Sequence, residues 1–385
     1  MKRSIPYGKQ WIDEDDIQSV VEALRGDLIT TGPKVSEFEE KIAECAGAKY
    51  AVTYSNGTAA LHAACFAAGI SEDDEVITTP ITFAASANCA LYVGARPVFA
   101  DICSDTYNID PTEIEKKITT KTKAIIPVDF TGQPCNLDKI MQIAKKHNLT
   151  VIEDAAHSIG ATYKGKKIGG IADMTTFSFH PVKTITTGEG GAVTTNSKEL
   201  YEKLLMFRTH GITRNSDKLI NPEEGPWFYE QQFLGYNYRL TDIQAALGIS
   251  QIKKLDKFIS LRRSIAKQYS DAFKNTEGLI VPYQDIDSNS AWHIYVVQLE
   301  LEKLSISRKD FFFKLTEYGI HANVHYIPVY YHPYYQELGY KKGICPKAEA
   351  LYERMLTLPL YANMDQSEVD YVIEITRRIV MENIK

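Results

Sequence analysis

The sequence holds little that would suit a membrane, an oxidising compartment or a nucleic acid. No apolar run approaches the roughly eighteen residues that a membrane-spanning helix needs. Six cysteines, Cys45, Cys65, Cys89, Cys103, Cys135 and Cys345, are scattered without a C-x-x-C pair. Such spacing supplies neither a zinc site nor a disulfide frame, and reduced, mostly buried thiols are expected. Lys and Arg form no dense block and the net charge is −6, which argues against a surface for nucleic acid or an anionic membrane. A phosphate-bearing ligand must therefore meet a local pocket. Met1, Lys2 and Arg3 lead into a polar, acidic stretch with no apolar signal region, so a cytoplasmic protein is expected. Fixed-period repeats and low-complexity tracts are missing as well.

What is there is a chain of 385 residues, 44% apolar, past the size at which one core keeps growing. Residues 13–26 place Ile17, Val20, Val21 and Leu24 at helical spacing, with an Asp to cap the start and a Gly past the end. Short apolar runs at 50–54, 75–79, 97–100, 124–128 and 150–153 then alternate with longer helical patterns. This is the rhythm of βαβ units, and runs apolar on both faces predict a mostly parallel sheet covered on each side. From about Leu247 the pattern changes to a long charged helix over 252–273, strands around 294–299, and helices at 308–318 and 366–381. An α/β domain over 1–246, including an N-terminal helical segment, and a smaller α+β domain over 247–385 are expected. Residues 223–229 read as a long loop.

Three strings carry chemistry. Ser55-Asn56-Gly57-Thr58 follows a strand and opens a helix; its free N–H groups suit a phosphate, and it serves equally as a turn with a Ser or Thr helix cap. Glu153-Asp154-Ala155-Ala156-His157 puts acids at the carboxyl end of a strand, where α/β sheets collect ligands. A carboxylate there can hold a protonated ring nitrogen, or cap the next turn. Third, Ser178-Phe179-His180-Pro181-Val182-Lys183 precedes Gly188-Glu189-Gly190-Gly191. A lysine among apolar and hydroxyl residues can lose its proton and attack an aldehyde. Each string alone fits a bland reading, but their order does not.

In that order, the chain resembles the DegT/DnrJ/EryC1/StrS sugar aminotransferases, from Ile5-Pro6-Tyr7-Gly8 and Thr30-Thr31-Gly32-Pro33 to Thr357-Leu358-Pro359-Leu360. The resemblance implies a fold-type I, aspartate aminotransferase-like enzyme that uses pyridoxal 5'-phosphate. Lys183 matches the Schiff-base lysine, which dehydrases of the family replace by His. Asp154 matches the acid that keeps the pyridine nitrogen protonated, and His157 the side chain beside the phenolic oxygen. Gly57, Thr58 and Ser178 match the phosphate cradle, and Phe83 the residue stacked on the ring, although a core aromatic is its plain alternative. The string 234–241 resembles the segment that crosses a homodimer interface, with Asn237 reaching the neighbour's phosphate. Arg239 either binds the donor carboxylate or forms a structural salt bridge.

Within the family, Tyr7-Gly8-Lys9-Gln10-Trp11 and His325-Tyr326-Ile327-Pro328-Val329-Tyr330 resemble the pseudaminic acid branch. That branch aminates a UDP-linked 4-keto-6-deoxy-N-acetylhexosamine with L-glutamate as donor. By this likeness Tyr7, Asp27, Leu28, Ile29, Thr30, Ser55, His325, Tyr326, Ile327 and Pro328 line the nucleotide-sugar pocket. The bacillosamine route, a dTDP-linked keto-sugar, or a non-catalytic binding protein of the same fold remain as alternatives. His321, His325 and His332 have no carboxylate or Cys at ligand spacing, and no metal is expected.

Overall fold

The computed structural model describes residues 4–221 and 224–385. Part of the expected loop, Pro222 and Glu223, and the opening Met1, Lys2 and Arg3 lie outside the described residues.

Seven strands form the main sheet: β1 (Tyr50–Tyr54), β2 (Glu75–Thr78), β3 (Arg96–Phe99), β4 (Thr122–Ile126), β5 (Thr150–Asp154), β6 (Met174–Ser178) and β7 (Gly191–Thr195). Their spatial order is β1-β7-β6-β5-β4-β2-β3, and β7 alone runs against the others. Five of these strands stand where the apolar runs placed them, within two residues at the ends. Alternate side chains explain why the runs are apolar throughout. Val76, Ala124, Ile126 and Ile152 join one buried cluster, and Ile77, Ile125 and Val151 join another on the opposite face.

The helices of this domain include α1 (Glu14–Arg25), α2 (Pro33–Ala46), α3 (Gly57–Ala67), α4 (Ala85–Tyr92) and the pair α5 (Asp242–Ile252) and α6 (Leu255–Phe273). Asp13 caps α1 through a reciprocal capping box with Asp16, and Gly26 ends it. Its apolar stripe is not fully covered by this chain: Ile17 and Leu24 stay exposed, as do Leu28 and Ile29 beyond the helix end.

The helix expected over 252–273 is present as α6, its start moved to Leu255 by a turn at Lys253 and Lys254. Lys254 turns its ammonium towards Asp13 and towards Asp16, 3.0 Å away, while Gln251 Nε2 donates to Asp16 Oδ2 at 2.7 Å. The charges of α1 fix this corner, and no Gly or Pro marks it in the sequence. The border expected between 246 and 247 falls inside α5, whose Ala245, Ala246 and Ile249 are buried, Ala245 and Ile249 within the main-sheet core. The division we propose instead runs along α6. Its start, through Leu255, Phe258 and Ile259, packs on that core, and its end, from Ile265, packs on a second one. The second core covers an antiparallel three-stranded sheet of Leu279–Ile280, Tyr295–Leu299 and Met355–Leu358 and takes in the terminal helix Gln366–Met381.

All six cysteines are free, with Cys65, Cys89, Cys135 and Cys345 buried. Among the described residues no helix is long and apolar enough to cross a membrane, and no cluster of metal-ligating side chains forms.

Candidate active site

The carboxyl ends of β1, β5 and β6 open into one cavity of about 1300 Å³. Three devices assemble its floor. At the end of β1, Asn56 caps α3 by accepting from Ala59 N at 2.8 Å, so the cap is neither Ser55 nor Thr58. That leaves the first turn of α3, with Gly57 and Thr58, facing the cavity. Gly57 makes room for Ser178, because a Cβ there would stand only 3.0 Å from Ser178 Cβ. Gly191 lets β7 pass beneath, where a Cβ would meet Asn56 O at 2.6 Å.

The second device is the end of β5. Asp154 is buried and accepts from Ser86 Oγ at 2.6 Å and from Ala156 N at 3.1 Å. It therefore caps the turn and faces the cavity at once. Burial raises its carboxyl, and the Ser86 bond and the nearby Lys183 cation hold it down. Ser86 is itself held by Thr82, 2.7 Å away.

The third is the loop between β6 and β7. Phe179 O accepts from Thr187 N and from Thr186 Oγ1, at 3.0 and 2.9 Å, which pins the loop and presents Lys183 to the cavity. Loss of water pushes the Lys183 amine down to about 8, opposed by the Asp154 charge. A lysine at that value has a sizeable neutral fraction near physiological pH.

Above these residues His157 Nε2 meets Tyr326 Oη at 3.1 Å, and the buried His157 Nδ1 has no partner. Burial, then Lys183 and His325, keeps His157 neutral. His325 is pushed down to about 4 by burial and Lys183. Its Nδ1 lies 2.9 Å from Thr357 Oγ1 and its Nε2 3.3 Å from Asn323 Nδ2, a pair of contacts that fits a neutral ring protonated on Nδ1. The Tyr7 ring lies 5.2 Å from that of His325. Phe83 lines the cavity yet is 63% exposed, an unusual position for a core aromatic.

The cavity thus gathers Tyr7, Gly57, Thr58, Phe83, Asp154, His157, Ser178, Lys183, His325, Tyr326 and Ile327. It does not gather Asp27, Leu28, Ile29, Thr30, Ser55, Asn237, Arg239 or Pro328. Ser55 is one residue off, its N–H spent on Tyr238 O at 2.8 Å. Pro328 precedes a short turn at Val329–Tyr331. Residues 29–30 meet the stretch just after 237–239: Thr30 bridges Thr241, and Asp242 N donates to Ile29 O at 3.0 Å. Asp242, fully buried, also accepts from Gly32 N and Lys34 N at 2.7 and 2.8 Å. Among the described residues Arg239 forms no ion pair.

Several lining residues were not foreseen. Ser86 sits in the string around Phe83, and its signal was proximity to that residue. Tyr236 and Tyr238 stack at 4.9 Å beside His62, and the His293 ring packs at a tilt against that of His157 at 4.3 Å. Nothing in the local sequence sets these four apart from core aromatics.

A cofactor with a phosphate, a basic ring nitrogen, a phenolic oxygen and an aldehyde fits this donor set. The α3 turn and Ser178 suit the phosphate, Asp154 the ring nitrogen, the unpartnered His157 Nδ1 a further polar group, and Lys183 the aldehyde.

Comparison with known proteins agrees. Residues 10–377 match the model of the DegT/DnrJ/EryC1/StrS aminotransferase family. The spore coat polysaccharide biosynthesis protein SpsC of Bacillus subtilis is 44% identical, covering 98% of this chain and 97% of that protein. A UDP-4-amino-4,6-dideoxy-N-acetyl-beta-L-altrosamine transaminase of Campylobacter jejuni is 39% identical over 99% of this chain and 98% of its own. A GDP-perosamine synthase of Escherichia coli O157:H7 is 40% identical over 96% and 97%. Among solved structures, a putative sugar aminotransferase of Streptococcus pneumoniae in its PMP form superposes with a TM-score of 0.92 at 32% identity, covering 98% of this chain and all of that one.

Proposed function

The chain belongs to the DegT/DnrJ/EryC1/StrS aminotransferase family, and from that premise we propose that it moves an amino group from L-glutamate to C4 of a UDP-linked 4-keto-6-deoxy-N-acetylhexosamine. That it is a pyridoxal phosphate-dependent sugar aminotransferase follows from the family. The donor and the sugar are our reading. What supports the sugar is the 39% identity to the Campylobacter jejuni transaminase, and what supports the transamination chemistry is the desolvated Lys183 amine in the cavity that also holds Asp154.

When bound, pyridoxal 5'-phosphate supplies an electron sink for the C–H bond being broken. In our reading Gly57, Thr58 and Ser178 hold its phosphate, Phe83 covers its ring, Asp154 keeps the ring nitrogen protonated and His157 stands by the phenolic oxygen. Lys183 would hold the group at its aldehyde carbon and be free once the donor binds. The freed Nζ then removes the α-proton of glutamate, and in the second half-reaction it delivers a proton to C4 of the sugar. Tyr7, Tyr326 and the neutral His325 present a polar, aromatic wall that suits a sugar ring.

The protein works as a homodimer in this reading. Asn237 is exposed and outside its own chain's cavity, and Leu28, Ile29 and Leu234 are exposed apolar residues of the same chain. Burial of these residues against a second copy would bring Asn237 to the neighbour's phosphate. Residues 27–30, Ser55, Arg239 and Pro328 complete the substrate pocket in the same assembly.

A second sugar is favoured by one observation, the 40% identity to a GDP-perosamine synthase. The test begins with the absorbance of the purified protein with pyridoxal phosphate before and after glutamate, beside Lys183→Ala. A cofactor band that shifts on adding glutamate, and is missing in the variant, is expected. A band indifferent to Lys183→Ala sinks the assignment. Turnover of UDP-, GDP- and dTDP-linked 4-keto sugars then decides the substrate: preference for a GDP or dTDP sugar ends the UDP reading.

A further inference from the structure

Glu153 and Asp154 are neighbours on β5, so their side chains leave opposite faces of the sheet. Asp154 meets the cavity. Glu153 does not: it is fully buried, its Oε2 accepts from Thr175 Oγ1 at 2.8 Å, and its Oε1 receives no N–H or O–H. Within hydrogen-bonding reach stands a second fully buried carboxyl, Asp129. Asp129 Oδ2 accepts from Ser158 Oγ at 2.6 Å and Oδ1 from Cys135 N at 2.9 Å.

Among the described residues no cation pairs with either carboxyl. The well-buried ion pairs of the described residues are elsewhere, Arg208 with Glu39 and Lys254 with Asp16. The other titratable groups facing Glu153 and Asp129 are Asp154 and the Cys135 thiol, neither of which brings positive charge. Two carboxylates buried side by side cannot both be ionised, so the pair holds a proton. The donors decide where. Asp129 receives two hydrogen bonds that favour its anion, and Glu153 receives one and leaves Oε1 without a partner.

We propose that Glu153 is kept as a neutral carboxylic acid whose Oε1–H donates to Asp129, and that this shared proton positions the turn that carries Asp154 and His157. The bare Oε1 thereby gains its partner. Burial acts in the same direction, raising Glu153 well above the usual carboxylate range. The pair ties four pieces of backbone together. Asp129 holds Ser158, next to His157; Asp129 N donates to Asp154 O at 3.1 Å; Asp154 N donates to Pro127 O at 2.8 Å; and Glu153 holds Thr175 on β6. A neutral Glu153 also leaves Asp154 without a second negative charge one residue away. A charge there would favour protonation of Asp154 and loosen its hold on a cationic ring nitrogen. Glu153 is thus a positioning residue; only its effect on turnover rests on the aminotransferase reading.

The infrared spectrum of the full-length protein, with and without pyridoxal phosphate, tests this directly through the carbonyl stretch of a protonated carboxylic acid. A band is expected at neutral pH in both forms, absent in Glu153→Gln and present in Lys183→Ala. In the loaded enzyme, Glu153→Gln keeps the donor and should hold kcat/KM within about threefold, whereas Glu153→Leu cannot donate and should lose about tenfold or more. No band at neutral pH, a band that survives Glu153→Gln, or Glu153→Gln as impaired as Glu153→Leu overturns the proposal. Should Glu153→Leu fail to fold, the spectra of the parent and Glu153→Gln decide alone. Should the protein aminate no sugar, the band is still read.

Discussion

Two regions of this molecule bury ionisable side chains without an opposite charge, and they do so by different means. Under the carboxyl edge of the main sheet lie Asp129 and Glu153, which a single proton can make tolerable. At the seam along α6 lies Arg262, 1% exposed, its value lowered to about 10 by burial and so still a cation at neutral pH. A guanidinium cannot shed its charge, so the fold solvates it with carbonyls: His293 O at 3.0 Å, Leu360 O at 2.9 Å and Trp292 O at 3.5 Å. The seam is thus a fixed polar joint between the two cores. The sheet edge is adjustable, because its groups exchange protons. Chemistry needs the second kind of burial, and rigidity the first.

The comparison is broken most severely at Lys183. Lys183→Ala should lower kcat/KM by roughly 10⁴-fold or more while leaving the urea midpoint no lower than the parent's, because a desolvated amine is removed. Loss of folding in that variant would mean that the sheet edge is as structural as the seam. Arg262→Met makes the opposite demand. It leaves three buried carbonyls short of a donor and should cost about 3 kcal/mol in chemical denaturation, with turnover in the surviving native protein close to normal. A stability loss below about 1 kcal/mol would show that the carbonyls find water and that the joint is not rigid.

A pH series sharpens the contrast at intermediate size. The folded value of Lys183, about 8, lies below the 10.5 of an ordinary lysine, so the folded state binds this proton less tightly than the unfolded chain. The cofactor-free protein should therefore gain stability as pH rises from about 8 towards 10.5, and capture of pyridoxal phosphate should quicken about tenfold per unit below 8. Lys183→Met should flatten that share of the stability slope. The smallest effect is set by the α3 cap. Asn56→Ala should cost about 1 kcal/mol of stability and weaken pyridoxal phosphate binding without moving the pH profile.

The adjustable region was the more legible one in the sequence. Asp154, His157, Ser178 and Lys183 stand close together in the chain, and strand ends follow from apolar runs, so residue order alone brought them to one edge. The fixed joint left no trace. Arg262 sits in a charged stretch that reads as a solvated helix face, and only the approach of Trp292, His293 and Leu360 buries it. The shifted start of α6 was missed for a similar reason, since it depends on Asp13 and Asp16 some 240 positions away. Asn56 was overlooked as the cap because Ser and Thr flank it. Residues 27–30 were assigned to the pocket by resemblance, yet within one chain the Asp242 anchor holds the start of α2, just beyond them, away from it.

The antiparallel strand β7 bears on how the chain is made. β1 has one neighbour in the sheet, and its first residue, Tyr50, faces Thr195. At the usual pace of about 5–20 residues per second, a ribosome takes roughly ten to thirty seconds to deliver that partner after β1 has emerged. Throughout that interval β1 offers bare N–H and C=O groups to any extended chain nearby. The same delay separates the α3 phosphate turn from the lysine loop, so no cofactor can be captured during synthesis of the first half. Yield in cells should respond to slower elongation across 55–190 and to chaperones that shield nascent strands, with the finished enzyme unchanged.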